Sequence, residues 1–323
     1  MKAIRVHTFG GPEVMQLDEL PIPVPAADEI LLKVYASSVN PADYVIRQGG
    51  NELLRPLLKL PLGLGLDAAG IVAAIGSDVK DLQPGDKVYG VPNFPGDGSY
   101  AEYLAAKATQ FARMPANLSF NEAGALPSCA LISWNAIVDL GNVQEGQKVL
   151  IHGAAGGVGN LAVQFAKAKG AYVVGTASAH NFDFLQALGA DEVIDYNTQD
   201  FARELQDIDL IFNASPVRDQ SVRLRSASVI KQGGIFVCSQ LDSPFSDEIK
   251  AAFEAKHAIC SMVGGGSITY TSSLSGTTQL IEAGKVKAVV SKVYPLADVA
   301  AAHRECETKH VRGKLVIEIR KEN

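Results

Sequence analysis

From residue 2 to about 120, apolar and polar positions alternate in short runs broken by proline and glycine, as at 29–35, 70–76 and 86–91, and helical spacing is scarce. The pattern predicts a compact β-domain. After about residue 122 the period changes. An apolar run at 148–152 enters the glycine-rich segment from Gly153 to Gly159, and a helical stripe through Val163, Phe165 and Ala166 leads past Gly170 to a second run at 172–175. Strand, turn, helix and strand in that order imply right-handed βαβ units on a parallel sheet. Further strands are predicted at 192–195, 210–212, 235–238 and 259–263, with helices around 181–188 and 222–231. Six strands make a doubly wound sheet that fits into 123–266. Beyond it, helices at 275–283 and 296–308 alternate with strands near 289–293 and 314–319.

A chain of 323 residues has room for about two domains, each with its own core. With 29 basic and 35 acidic residues its formal charge is -6, which argues against a nucleic-acid or anionic-membrane partner. The most apolar stretch, 57–76, is broken by Lys59, Pro61, Asp67 and four glycines before it reaches spanning length. Residues 1–11 alternate like a strand and lack the apolar core of a secretory signal, so a cytoplasmic protein is expected. Cys129, Cys238, Cys260 and Cys306 form no CxxC pair and no short metal-ligand spacing. They read as reduced thiols.

Thirty glycines exceed the roughly 7% usual in globular chains, and their placement is informative. Four lie in the segment Gly153 to Gly159, where small residues let backbone N–H groups and a helix N-terminus approach a pyrophosphate. Ala154 stands where a strict GxGxxG has its first glycine, and Ala155, Gly156, Gly157 and Val158 form the loop itself. A plain tight turn is the alternative. The second strand leads into Thr176, Ser178, His180 and Asn181 with no acid to meet the ribose hydroxyls, so NADPH is expected over NADH. Ser178 can also cap the following helix. Gly264, Gly265 and Gly266 mark the exit from the last strand.

Taken in order, Val39-Asn40-Pro41, Asp43, Arg47-Gln48-Gly49, Gly85-Asp86, Gly98 to Tyr103, the Ala154 to Gly159 loop, Leu188 to Tyr196 and Gly313-Lys314 resemble the medium-chain dehydrogenase/reductase superfamily, in its zinc-independent quinone oxidoreductase-like branch. The resemblance implies an α/β fold: a Rossmann doubly wound parallel sheet, residues 123–266, inserted in a GroES-like β-barrel domain built from 1–122 and 267–323. It also implies a cleft between domains and a homodimer joined through the last Rossmann strand. Zinc members carry a Cys where this chain reads Asn40, a His-Glu pair where it reads Leu66-Asp67, and a third ligand near Ser128-Cys129. One thiol does not make a site that needs three protein ligands, so a metal-free enzyme is expected. Ser178, Asn181 and Tyr196 match positions that hold the 2′-phosphate, although relatives often have Lys where Asn181 stands and Tyr196 has a competing role as a packed ring at a strand end, and Val263 falls at a cofactor-contacting strand exit. Asn40 resembles a residue on the nicotinamide side; a turn former before Pro41 is its other role.

These features imply metal-free, NADPH-dependent reduction of small hydrophobic quinones or α,β-unsaturated carbonyls. Asn40 and Tyr44 are the candidate catalytic residues, placed in a loop after the strand near Ser38, and Asp43 reads as a structural acceptor. Relatives often have Lys or Tyr at Val45, so either the Tyr44 phenol or water and the ribose hydroxyl supply the proton. The segment 53–66, rich in Leu and Pro, reads as an apolar lip, with core packing or a dimer contact as the alternative. A cofactor-binding sensor with little turnover is the competing function. Tyr103 and Lys107 have the YxxxK spacing of short-chain dehydrogenases but precede the glycine loop, so the spacing is chance. His303 and His310 are expected to be solvated on a charged helix.

Overall fold

The computed structural model describes residues 1–52, 54–264, 266 and 268–322. Leu53 of the expected lip, Gly265 of the triple glycine and Ser267, where the second domain boundary is expected, lie outside the described residues, as does Asn323. The chain divides into two compact units. One comprises Met1–Ser128, Tyr270–Glu282 and Ala288–Asn323; the other comprises Cys129–Thr269 and Ala283–Lys287.

The first unit opens with β1 (Lys2–Val6), β2 (Met15–Glu19), β3 (Glu29–Ser38), α1 (Pro41–Arg47), β4 (Leu62–Gly63), β5 (Ala68–Ile75), β6 (Lys87–Gly90), β7 (Tyr103–Lys107), β8 (Phe111–Arg113) and α2 (Phe120–Gly124). α1 corrects the expected loop. Pro41 at its first position and the Asp43 carboxylate, which accepts from the Asn40 N–H at 2.8 Å, start a helix there. α2 belongs to this unit because it lies against β3: a Cβ added at Gly124 would come 2.9 Å from that of Ala36. The boundary therefore falls after Ser128 instead of after residue 122.

α3 (Pro127–Trp134) crosses that boundary, and the second unit continues through β9 (Lys148–His152), α4 (Gly157–Ala168), β10 (Tyr172–Ala177), α5 (Phe182–Ala187), β11 (Glu192–Asp195), α6 (Phe201–Glu204), β12 (Ile208–Asn213), α7 (Gln220–Val229), β13 (Ile230–Cys238), α8 (Asp247–Glu254) and β14 (Ile259–Met262). The sheet order is β11-β10-β9-β12-β13-β14, and every neighbouring pair is parallel. Counted within the sheet this is 3-2-1-4-5-6, the doubly wound arrangement. Val149, Leu150 and Ile151 of the central β9 are buried, which explains its unbroken apolar run.

The chain then supplies the first unit with α9 (Tyr270–Glu282), β15 (Val290–Pro295), α10 (Val299–Glu307) and β16 (Lys314–Glu318). α9 is tied there by the Tyr89 hydroxyl, which donates to the Leu274 carbonyl at 2.7 Å. One continuous return over 267–323 is expected from the sequence, and the structure interrupts it. Lys287 exchanges two hydrogen bonds with the Gln164 amide, at 2.7 and 3.1 Å, and so holds Ala283–Lys287 to the second unit. β16 lies antiparallel to β3, which also pairs with β5 and β7. This register sets Val316 opposite Ser38, just ahead of α1.

Candidate functional site

The sequence-predicted residues fall in both units. In the second, the β9–α4 turn holds Ala155, Gly156, Gly157 and Val158. Gly153 has φ +69° and packs so closely that an added Cβ would lie 2.8 Å from Ser215 Cα; a Cβ at Gly159 would lie 2.2 Å from the Gly153 carbonyl oxygen. Backbone packing requires these two glycines. Gly156 differs. It is the N-cap of α4 with φ -73° and supplies no capping side chain, and the nearest atom to an added Cβ is the Gly153 oxygen at 3.5 Å. The helix therefore opens with N–H groups that no cap side chain satisfies, in front of a small open space that a Cβ would fill. This fits a pyrophosphate.

At the end of β10, the Ser178 hydroxyl lies 3.2 Å from His180 Nδ1 and accepts from Asn181 Nδ2 at 3.2 Å. Tyr196 follows β11, 59% exposed, with its N–H donated to Ala177. These three phosphate candidates thus border adjoining strand ends. The register also sets Asp195 beside Ala177, an acid that a reading of β10 alone misses. Its carboxylate is turned back on its own loop: the Asn197 N–H, the Asn197 amide and the Thr198 hydroxyl hold its pKa down, opposed by desolvation. Val263 is buried, with its N–H given to the Cys238 carbonyl at 2.9 Å.

In the first unit, Asn40, Asp67 and Ser128 come together. Asp67 is fully buried; its Oδ1 accepts the Ser128 N–H at 2.6 Å, and its Oδ2 accepts from Asn40 Nδ2 at 2.7 Å and from the Ser38 hydroxyl. Lys314 reaches into the same place. Its ammonium donates to Asn40 Oδ1 at 2.5 Å and to the Val39 carbonyl at 3.0 Å, and lies 3.3 Å from Asp67 Oδ2. The positions aligned with zinc ligands thus present the Asn40 amide, Leu66 with the Asp67 carboxylate, and Ser128 with the buried Cys129 thiol, and the amide and the carboxylate face the Lys314 ammonium. This donor set does not fit zinc. Among the described residues no group of three His, Cys, Asp or Glu side chains could hold a metal.

Asp43, one turn into α1, takes the N–H groups of Asn40 and Gly65, and desolvation raises its pKa to about 7 despite those bonds. The Tyr100 hydroxyl faces it and lies 3.3 Å from His303 Nε2. His303 is wholly buried and not solvated: Arg47, also fully buried, donates to its Nδ1 at 2.9 Å and pairs with Glu307 at 2.7 Å. Since a guanidinium only donates, the ring hydrogen sits on Nε2 and points to Tyr100. Desolvation, then the Arg47 charge, push the His303 pKa down to about 3. His310 is exposed. Tyr44 and Val45 are half-buried on α1. Tyr103 and Lys107 lie on strand β7, beside Arg320 and Asp28 respectively.

Two family models match the chain, one described as alcohol dehydrogenase GroES-like domain over 26–116 and one as zinc-binding dehydrogenase over 188–317. The chain is 32% identical over 333 residues to a quinone oxidoreductase of Sus scrofa, covering 98% of this chain and 97% of that protein. It is 33% identical to the chloroplastic NADPH-dependent alkenal/one oxidoreductase of Arabidopsis thaliana, over 98% of this chain and 79% of that one. The structure superposes on that of the Escherichia coli quinone oxidoreductase complexed with NADPH at a TM-score of 0.86, with 29% identity over 99% of this chain and 100% of that one.

Proposed function

The chain belongs to the quinone oxidoreductase family of medium-chain dehydrogenase/reductases, and from that premise we propose that it reduces small hydrophobic quinones or α,β-unsaturated carbonyls with NADPH and without a metal. The observation that carries this reading is the β9–α4 turn, where Gly156 leaves a space for phosphate in front of a helix with no capping side chain. When bound, the nicotinamide supplies a hydride for the acceptor's β-carbon or quinone ring. The N–H groups of Gly157 and Val158 would hold the pyrophosphate, with Ala155 and Gly156 leaving it room. Ser178, Asn181 and Tyr196 would hold the 2′-phosphate. Val263 would contact the cofactor where β14 exits.

Asn40 would give an N–H to the nicotinamide side or to the oxygen on which negative charge develops, and Tyr44 would supply a proton. The ammonium of Lys314 lies among the Asn40, Val39 and Asp67 oxygens, its charge balanced by the Asp67 carboxylate. We further propose a homodimer that pairs β14 of two copies, in the cytoplasm. No helix among the described residues is long and apolar enough to cross a membrane.

Mixing the protein with NADPH and a panel of quinones and enones, and following the nicotinamide absorbance, tests the activity. Oxidation is expected with at least one acceptor, more weakly with NADH. Tight NADPH binding with no oxidation by any acceptor would replace the enzyme with a cofactor-binding sensor.

A further inference from the structure

We propose that Lys314 and Asp67 are positioning residues that lock the side-chain amide of Asn40 in one orientation, so that one of its N–H bonds is presented for the reaction. The use of that N–H rests on the function proposed above; the locking rests on geometry within the first unit.

The two ends of an asparagine amide are nearly the same size, so sterics alone rarely choose between an orientation and its flip. Here partner chemistry chooses. An ammonium only donates and an ionised carboxylate only accepts. Lys314 Nζ is 2.5 Å from Asn40 Oδ1, and Asp67 Oδ2 is 2.7 Å from Asn40 Nδ2. A flipped amide would set its NH₂ against the ammonium and its oxygen against the carboxylate, where the Lys314 and Asp67 side chains are only 7% and 0% exposed. Neither contact could be relieved by water.

The two locking groups are themselves held. Asp67 is anchored by the Ser128 N–H and the Ser38 hydroxyl, and Lys314 by the Val39 carbonyl. Their ion pair balances two buried charges, which neither residue could tolerate alone. The main chain of Asn40 is fixed independently, through its N–H to Asp43 at 2.8 Å. Asn40 Nδ2 has two hydrogens; one goes to Asp67, and the second has no partner among the described residues. That second N–H is the group the lock presents. Lys314 is argued to act through Asn40, so it is a positioning residue.

The test is a double-mutant cycle with a spectroscopic readout beside it. Nitrogen-15 spectra of the side-chain amides locate the Asn40 NH₂ pair by its loss in Asn40→Ala. Two separate, slowly exchanging signals are expected in the wild type, and about tenfold or faster exchange with water in Lys314→Met. In turnover, Asn40→Ala and Lys314→Met are each expected to lower kcat/KM about tenfold to a hundredfold, with the double variant within about threefold of Asn40→Ala alone. Losses that multiply, an Asn40 amide spectrum unchanged in Lys314→Met, or wild-type kcat/KM in Asn40→Ala would each overturn the proposal. If Lys314→Met does not fold because Asp67 is left as an unpaired buried charge, Lys314→Met combined with Asp67→Asn removes both charges and carries the same two readouts. A wild-type protein that oxidises no NADPH removes the reaction, and the amide spectrum alone then decides the locking.

Discussion

Arg47 and Lys314 are both cations inside the first unit, and they hold their neighbours in different ways. The Arg47 fork fixes a tautomer, with Nη1 on His303 and Nη2 on Glu307, whereas Lys314 fixes an amide. Asp43 lies between the two clusters and yields a pH-dependent prediction. Its pKa is raised from 3.8 to about 7, so between those values the folded state binds a proton that the unfolded state releases. Its contribution to stability is therefore complete below pH 3.8 and declines as pH rises to about 7. His152 and His303, depressed to about 4 and about 3, act in the opposite sense: their stability is present above 6.5 and lost as pH falls. Comparing Asp43→Asn with wild type isolates the aspartate. In urea titrations the stability difference should move in the variant's favour by about 1 kcal/mol or more from pH 5 to pH 8; no movement would contradict the raised pKa. At this scale the chain is only partly legible. The charged neighbours of His303 in sequence suggest a solvated helix face, while its burial depends on Arg47, 256 positions away.

The β9–α4 turn is the most legible element, because its signal is local: an apolar strand, small residues and a periodic helix follow one another within about twenty positions. Its glycines divide by what surrounds them. Gly156→Ala places a methyl in open space at an ordinary φ, so its melting temperature should match wild type while its NADPH dissociation constant rises about tenfold or more. Gly159→Ala, directed at the Gly153 oxygen, should lower the melting temperature itself. Equal melting in the two variants, read beside a fluorescence titration of NADPH, would refute this division. α1 has only seven residues, too few for a periodic stripe, although Asn40, Pro41 and Asp43 hold the N-cap, first and third helical positions. That capping pattern, read alone, identifies the helix. Asp195 needs the register of β10 with β11, which no single segment encodes.

For the whole molecule, the alternation of periods locates both units, and the boundary shifts come from tertiary contacts: the Gly124 main chain against Ala36, and the Gln164 amide with the Lys287 main chain. Strand composition does not record them. β14 is an edge strand with Ile259 57% exposed, and the proposed homodimer makes that edge its interface. Ile259→Lys should shift the sedimentation coefficient from dimer to monomer without loss of NADPH binding. A wild-type protein that sediments as a monomer at micromolar concentration would dismiss the pairing.

Lys314 stands 274 positions after Asn40 and 247 after Asp67, with the whole second unit between them. During synthesis, Asn40 and Asp67 therefore leave the ribosome long before the ammonium that balances them. At about 5–20 residues per second the interval is on the order of ten seconds or more. In that interval the second unit can assemble, while the nascent first unit holds an unpaired carboxylate and lacks the β16 partner of β3. A stalled or prematurely released chain is thus the form in which this protein is most exposed to chaperones and proteases.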